Sequence, residues 1–288
     1  MTEKTAKEKL SHINDIRELW KGDSLELLKV LHIITRDEKL NADSRRKLKQ
    51  VYHLIQLIEP IIQQLYAKNP NLKIVDMGAG KSYLGFILYD LVLRKLEGTR
   101  LIGVETRDEL VQKSKELANS GKFERMEFVA STIEAASNAV KGPLDLVCAL
   151  HACDTATDDA ILFGIHTNAK AFALVPCCQA EIAEQLRTKA GAGSLVDLTL
   201  QTLFAQPIHR REFGSHITNV IRTLFLQSKG YKTTVTELIG WEHSLKNELI
   251  LAEKVSTPDH PQSIKSQKML DELLLKFQLS PRLVNCRS

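Results

Sequence analysis

The chain has 288 residues, 43% of them hydrophobic and 26% charged, with a formal net charge of +4. This length accommodates a full α/β core and a smaller second domain, and the composition is that of an ordinary globular protein. A charge of this size permits an anionic partner without requiring one. No apolar run approaches the roughly 18 to 20 residues that span a bilayer, and residues 1–9 lack the apolar core of a secretory signal.

The cysteine content argues against a disulfide scaffold. The chain has five cysteines, at Cys148, Cys153, Cys177, Cys178 and Cys286. Their number is odd, and four of them fall in the region of predicted strands rather than at scaffold spacings. We therefore expect free thiols in a reducing cytoplasm.

Residues 1–69 are predicted to form an N-terminal helical domain. Apolar residues repeat at helical spacing in three runs, within 10–19, 27–34 and 48–58. Because proline cannot donate the helical hydrogen bond, Pro60 is expected to kink the third helix or to start a new turn.

Residues 70–255 show short apolar strands alternating with helices. This pattern predicts an α/β fold, Rossmann-like, with a mostly parallel seven-stranded sheet and helices on both faces. The predicted strands are Lys73–Met77, Arg100–Glu105, Met126–Ala130, Leu144–Leu150, Ala171–Pro176, Lys232–Leu238 and Glu248–Ala252. The predicted helices are Tyr83–Leu96, Arg107–Ser120, Ile133–Val140, Thr157–Ile165, Gln179–Lys189 and Glu212–Ser228. The last two strands, on either side of Gly240-Trp241, should pair as a hairpin-like ending. Residues 256–288 are predicted to be a linker, a short helix at Met269–Phe277 and a loose tail.

A glycine turn follows the first predicted strand, and three classes of ligand compete for it. Gly80-Lys81-Ser82 resembles the end of a phosphate-binding loop, but Val75 stands where that loop needs its first glycine. A dinucleotide fingerprint needs glycine or alanine at the position of Tyr83. The remaining pattern is an acidic residue followed by Gly-x-Gly-x-small, namely Asp76, Gly78, Gly80 and Ser82. This pattern favours S-adenosylmethionine, which has no pyrophosphate.

Each end of that cofactor has a candidate partner. Asp76 would face the cationic methionine end, and the backbone of Gly78, Ala79 and Gly80 would approach the ligand closely. Glu105, at the end of the second strand, would accept both ribose hydroxyls, unless it is an ordinary strand-end acid. Ser131 and Thr132 would lie at the adenine edge, with helix capping as the competing role.

Polar and thiol groups follow the fourth and fifth strands, where the reactive end of the cofactor is expected. Leu150-His151-Ala152-Cys153-Asp154 ends one strand, and Pro176-Cys177-Cys178 ends the next. His151 or Asp154 is favoured as the group that orients and deprotonates the acceptor. Three alternatives remain. Cys153, Cys177 or Cys178 could attack the acceptor covalently, or these cysteines could form a zinc site with His151. Cys148 and one of the paired cysteines could also simply be buried.

Two basic clusters are candidate phosphate contacts. Arg45, Arg46, Lys47 and Lys49 open the third helix, and Arg210 and Arg211 precede a later one. A solvated helix face is the competing interpretation. Positive charge at a helix N-terminus opposes the helix dipole, which favours a functional reason for Arg45 and Arg46.

Several motifs together resemble a methyltransferase-like domain family. They are Asp76-x-Gly78-Ala79-Gly80-Lys81, Leu150-His151-Ala152-Cys153, Thr157-Asp158, Pro176-Cys177-Cys178 and Lys246-Asn247-Glu248-Leu249-Ile250. The family occurs in bacterial methyltransferases, in glutathione S-transferase C-terminal-domain-containing proteins and in relatives of tRNA ribose methyltransferases. The resemblance spans roughly residues 47–254. Asp154 departs from the glycine more usual at its position.

The resemblance implies a class I methyltransferase fold that binds S-adenosylmethionine through Asp76, Gly78, Gly80 and Glu105. RNA, ribosomal or transfer, is the leading substrate hypothesis. A protein or small-molecule acceptor is one alternative. A non-catalytic cofactor-binding interaction module is another.

Overall fold

The fold comes from a computed structural model that describes residues 25–31, 34, 42–150, 152, 154–176, 179–191, 198–238 and 248–285. Its strands are β1 Lys73–Met77, β2 Arg100–Glu105, β3 Met126–Ala130, β4 Leu146–Ala149, β5 Ala171–Leu174, β6 Tyr231–Glu237 and β7 Glu248–Lys254. Its α-helices are α1 Leu25–Val30, α2 Ala42–Lys68, α3 Tyr83–Leu91, α4 Asp108–Ser120, α5 Ala136–Ala139, α6 Thr155–His166, α7 Glu181–Gly191, α8 Leu198–Ala205, α9 Pro207–Ser228, α10 Pro261–Phe277 and α11 Arg282–Asn285. The helix predicted within residues 10–19 and the Gly240-Trp241 segment lie outside the described residues.

The strands form a single seven-stranded sheet in the order β3-β2-β1-β4-β5-β7-β6. The first five are parallel, and β7 runs antiparallel between β5 and β6. The predicted mostly parallel α/β sheet is therefore confirmed. The strand order reverses direction between β1 and β4, which makes their carboxyl ends the usual ligand-binding edge of such a sheet.

Alternate strand residues face two separate hydrophobic cores, as the two-residue repeat of a β-strand requires. On one face, Ile74 and Phe128 pack with Phe86 of α3 and with Leu28 and Ile62 from α1 and α2. The N-terminal helices therefore share a core with the sheet. The other face packs against α6, α7, α9 and α10. The buried residues of this second core include Val147, Phe172, Ile182, Ile221 and Leu270.

Several helices differ from their predicted form. α2 continues through Pro60 as one helix, and the kink expected at that residue stays a prediction. Both Pro60 and Gln56, whose carbonyl loses its partner, are exposed, so water can satisfy that carbonyl. α9 begins at Pro207, a favoured first helical residue, and α8 was not predicted. Among the described residues, no helix has the length and apolar character needed to cross a membrane.

The C-terminal segment is packed rather than loose up to Asn285. α10 begins at Pro261, and its N-cap His260 accepts a hydrogen bond from the amide of Gln262 at 3.2 Å. Leu279 and Leu283 are buried in the second core. The backbone amide of Arg282 donates to Glu181 on α7 at 2.8 Å.

Candidate active site

The glycine turn connects β1 to α3, and every second residue in it has a left-handed backbone conformation. Gly78, Gly80 and Ser82 have φ angles of 68°, 59° and 53°. The amide of Ala79 donates to the carbonyl of Val104 at 2.9 Å, which ties the turn to β2. Glycine at two of these positions removes the steric cost of the left-handed region and leaves the backbone bare for a ligand.

Ser82 occupies the third left-handed position at a cost. Its side chain is fully buried, and its hydroxyl oxygen has no hydrogen-bond partner within the described part of the chain. A Cβ at Gly85 would lie 2.6 Å from the Ser82 hydroxyl oxygen. A small side chain is therefore tolerated at Ser82 only because Gly85 leaves room for it.

Asp76 presents a buried carboxylate at the base of this turn. Its residue is 4% exposed, and no hydrogen bond reaches its carboxylate from the residues that the structure describes. Burial, with a further contribution from the charge of Glu105, raises the pKa of Asp76 from 3.8 to about 7. A carboxylate in this setting is stabilised by any cation that comes within contact distance.

Glu105 is held in place by the turn and by its own neighbour. One carboxylate oxygen accepts the amide hydrogen of Gly80 at 2.8 Å, and the other accepts Nε of Arg107 at 2.9 Å. Burial alone would raise the pKa of Glu105, but the hydrogen bonds from Arg107 and Gly80 outweigh burial and lower it to about 2. Glu105 is therefore ionised and fixes the conformation of the turn.

The other predicted cofactor residues lie around this centre. The amide of Ser131 donates to the carbonyl of Glu105 at 3.0 Å, so the end of β3 lies beside the end of β2. The Thr132 hydroxyl accepts the amide of Ala135 at 3.2 Å, which is a local capping interaction. Leu150, at the end of β4, is buried.

These residues fit S-adenosylmethionine at this edge. The buried carboxylate of Asp76, which pairs with none of the described residues, suits the ammonium of the methionine end, and the bare backbone of Gly78 and Gly80 allows close approach. When bound, the cofactor supplies an electrophilic methyl group. In the structure both Glu105 oxygens already accept hydrogen bonds, so binding a ribose would use their remaining lone pairs or displace Arg107.

Asp154 lies beyond β4 with an unusual backbone and a defined side-chain role. Its φ and ψ angles are 51° and −122°, a conformation that glycine adopts most easily. One side-chain oxygen accepts the amides of Ala180 at 2.8 Å and Glu181 at 3.3 Å. Asp154 therefore caps the start of α7 and joins the loop after β4 to the loop after β5.

A buried polar network that the sequence analysis did not identify lies beneath these two loops. Arg222 of α9 is fully buried and donates to the Asp158 carboxylate at 2.6 Å and to the Asp154 carbonyl at 2.7 Å. It also donates to Oδ1 of Asn219 at 3.3 Å, and Nδ2 of Asn219 donates to Glu248 at 2.6 Å. The only sequence signal was Thr157-Asp158, one of the motifs in the family resemblance.

The remaining predicted catalytic residues, His151, Cys153, Cys177 and Cys178, lie outside the described residues and stay predictions. Cys148 is a buried free thiol opposite Asp76 in the sheet register. Burial, and then the charge of Asp76, raise its pKa well above the usual value. Cys148 is therefore a protonated core residue, consistent with the non-catalytic alternative.

The structure describes the side chains of only some of the basic residues that were predicted to contact phosphate. Those of Arg46, Lys47 and Lys49 lie outside the described side chains, and Arg45 is half-buried. Arg210 donates through Nη1 to the carbonyls of Phe204 at 2.6 Å and Ala205 at 2.8 Å, at the C-terminal end of α8. Arg211 is exposed and lies 3.2 Å from Glu212. Arg210 therefore has a structural role whether or not it meets phosphate.

A cavity of about 550 Å³ opens beside the glycine turn. Its walls come from α1, from the start of α3 and from α4, and they include Val30, Tyr83 and Leu117. Two lysines also line it: Lys81, which directly follows Gly80, and Lys113 of α4. The cavity thus combines apolar walls with two lysines and one acidic residue, Glu116, next to the proposed cofactor turn.

Comparison with known proteins identifies the domain. Residues 46–185 match the model of a family described as a methyltransferase domain. No curated protein matches the sequence significantly. Among solved structures, an rRNA methylase from Streptococcus thermophilus is 10% identical with a TM-score of 0.43, over 72% of this chain and 94% of that chain. The methyltransferase PaMTH1 of Podospora anserina, bound to S-adenosylhomocysteine, is 10% identical with a TM-score of 0.45, over 89% and 97%.

Structural likeness at these values carries no information about the substrate. The family match rests on the sequence itself, and it covers both the glycine turn and the ends of β4 and β5. The mostly parallel seven-stranded sheet and the antiparallel pairing of β6 and β7 agree with the fold that the sequence predicted. Residues 46–185 are therefore similar to a methyltransferase domain, and the protein is an S-adenosylmethionine-dependent methyltransferase.

Proposed function

We propose that this methyltransferase acts on RNA in the cytoplasm. The observation that carries the proposal is the lysine pair, Lys81 and Lys113, on the cavity beside the glycine turn. Every nucleoside of an RNA strand is linked to phosphate groups, and positive charge next to the site of methyl transfer attracts those phosphates. The family resemblance to relatives of tRNA ribose methyltransferases supports the same substrate class.

The charge of the whole chain is compatible with this role. The sequence pI is about 8.7, and both lysines are exposed on the same side of the sheet as α1 and α2. α2 opens with the basic residues that the sequence analysis singled out as phosphate contacts.

Methyl transfer to RNA can be measured directly. Purified protein is incubated with S-adenosylmethionine labelled on the methyl group and with total RNA from cells that lack the protein. We expect label that ribonuclease releases, and a modified nucleoside that is missing from the deletion strain and present in its parent. Label only in protein or in small molecules would overturn the RNA assignment while leaving the enzyme class intact.

The lysine pair is tested with a charge-matched control. Lys81→Ala/Lys113→Ala is compared with Lys265→Ala/Lys276→Ala on α10, which packs on the other face of the sheet. Each double variant removes two positive charges. We expect the cavity variant to bind RNA more weakly and to show a smaller dependence of affinity on salt, because two phosphate contacts are lost. Equal binding by the two variants would contradict a role for the cavity.

A further inference from the structure

His216 and Glu248 form a pair that the cofactor site does not use. Nδ1 of His216 lies 3.3 Å from a carboxylate oxygen of Glu248. The imidazole is largely exposed, at 67%, whereas the Glu248 side chain is 27% exposed. One group of the pair therefore faces solvent and the other faces the protein.

The strand register puts this pair at the carboxyl edge of the sheet. β7 is antiparallel to β5, with Leu174 opposite Ile250. Continuing that register by two residues brings Glu248 level with Pro176, in the loop where the acceptor is expected. The first residue of β7 therefore lies at the edge where the parallel strands end.

α9 is attached to the same loop at the residue next to His216. The hydroxyl of Ser215 donates to Oε1 of Gln179 at 2.8 Å, and Nε2 of Gln179 donates to the Pro176 carbonyl at 3.2 Å. His216 is thus one helical residue away from a direct contact with the loop after β5.

The buried network determines which group of the pair donates a hydrogen bond and which accepts it. Arg222 has only donors, so Asn219 must turn Oδ1 toward it and Nδ2 toward Glu248. The Glu248 carboxylate has only acceptors, so His216 presents a protonated Nδ1 to it. The lone pair of His216 is then on Nε2, which points away from the carboxylate. Asp158, 2.6 Å from Arg222, balances the buried positive charge at the far end.

We propose that His216 is the general base of methyl transfer, with Glu248 as the residue that positions it. The arrangement follows the logic of a base oriented by a carboxylate. The proposal differs from the sequence-based choice of His151 or Asp154. The cap already occupies the Asp154 carboxylate, and His151 stays a prediction outside the described residues. The proposal holds for a hydroxyl or an amine acceptor, so it does not depend on RNA being the substrate.

The chemical step balances without a further reactant. The acceptor oxygen or nitrogen forms a bond to the methyl carbon, and the bond between that carbon and sulfur breaks. The electron pair of the broken bond stays on sulfur, whose positive charge is neutralised. The acceptor proton moves to Nε2 of His216, and the imidazolium is stabilised by Glu248.

The kinetic test compares two histidines on the same helix. His216→Gln and the control His209→Gln, which changes an exposed residue two turns earlier, are assayed with labelled S-adenosylmethionine in an extract of cells lacking the protein. Loss of a general base typically costs 10²- to 10⁴-fold in rate. We expect such a loss of kcat for His216→Gln alone, with unchanged cofactor affinity by calorimetry, and a residual rate that rises with pH as hydroxide replaces the base.

Digestion of the labelled extract separates this inference from the proposed function. Resistance of the label to ribonuclease would remove RNA as the substrate and leave the comparison of the two histidines valid. A full rate for His216→Gln, an equal loss for both variants, or a loss explained by cofactor affinity would overturn the role of His216.

A second measurement needs no substrate. Nitrogen-15 NMR of the free protein distinguishes which ring nitrogen of a neutral histidine carries the proton. We expect His216 to be protonated on Nδ1, and to change to the Nε2-protonated form in Glu248→Ala but not in Glu248→Asp. An Nε2-protonated His216 in the unaltered protein would refute the proposed polarity.

Discussion

Replacing Asp76 with asparagine should stabilise the free protein while weakening its hold on the cofactor. The carboxylate is buried, receives no hydrogen bond from the described residues and lies near the charge of Glu105. Its ionised form is therefore an unfavourable feature of the empty site. Asparagine has nearly the same shape and carries no charge.

The size of the effect follows from the shift in pKa. Burial, and then the charge of Glu105, raise the pKa of Asp76 from 3.8 to about 7. Above pH 3.8 the unfolded chain releases this proton, but the native chain keeps it until about pH 7. The native state therefore loses stability across that interval, by roughly 4 kcal/mol in all at about 1.4 kcal/mol per pH unit. Above pH 7 the loss is complete and constant.

Urea unfolding at a series of pH values measures this difference. We expect the stability gap between Asp76→Asn and the unaltered protein to grow by roughly 3 kcal/mol from pH 5 to pH 8, and then to stop growing. Glu127→Gln, at an exposed position on β3, serves as a control with little dependence on pH. A gap that stays constant with pH would refute the reasoning, because it would mean that Asp76 is not the titrating group.

Cofactor binding should change in the opposite direction. At pH 8 the unaltered protein presents an ionised Asp76 to the ammonium of S-adenosylmethionine, and Asp76→Asn does not. Calorimetry should show weaker binding by the variant at pH 8. Equal affinity would remove Asp76 from the cofactor site even if the stability measurement succeeded.

Three further substitutions test the turn and the loop after β4. Ser82→Gly should raise the unfolding free energy by about 1 kcal/mol, because it removes a left-handed Cβ and a buried unpartnered hydroxyl; a loss of stability in thermal unfolding would contradict this. Glu105→Gln should cost about 1–2 kcal/mol at pH 7, a value reduced by solvent screening of the exposed Arg107. Urea unfolding should show that this cost disappears as pH falls from 4.5 toward 2, because Glu105 becomes protonated. A cost that does not change with pH would mean that the hydrogen bonds do not depend on the charge of Glu105. Asp154→Ala should lower the unfolding free energy by about 1 kcal/mol through loss of the cap. Asp154→Gly should lower it less, because glycine also relieves the strained backbone. The reverse order in denaturant titrations would show that the backbone at Asp154 is not strained.

The sheet was predictable because its strands have a strong local signal. The apolar runs that form β1, β2 and β3 have the same bounds in the structure as in the sequence prediction. β4 and β5 are shorter than predicted, because Leu150 and Val175 are buried and apolar but lie beyond the last ladder pairs. Apolar sequence marks burial, and burial does not stop where the hydrogen-bonded ladder ends.

The interactions of the candidate site depend on tertiary contacts that sequence spacing does not reveal. Glu105 was correctly placed at the end of β2, but its bonds to Gly80 and Arg107 appear only when the turn folds over that strand end. Arg222 is 64 residues from Asp158 in the chain. An arginine on an otherwise apolar helix face gives no sign from sequence alone of which distant carboxylate it will meet.

The reversal of strand order between β1 and β4 has a consequence for how such an enzyme can diversify. Groups for the cofactor lie on one side of the reversal, and groups expected to meet the acceptor lie on the other. The two sides approach each other at Gly78, where a Cβ would lie 3.5 Å from the Cα of Ala152. We therefore expect substitutions after β5 or at the start of β7 to alter acceptor choice while the methyl donor stays the same. We expect the residues at these two sets of strand ends to vary separately, although β1 and β4 stay paired along the sheet below them.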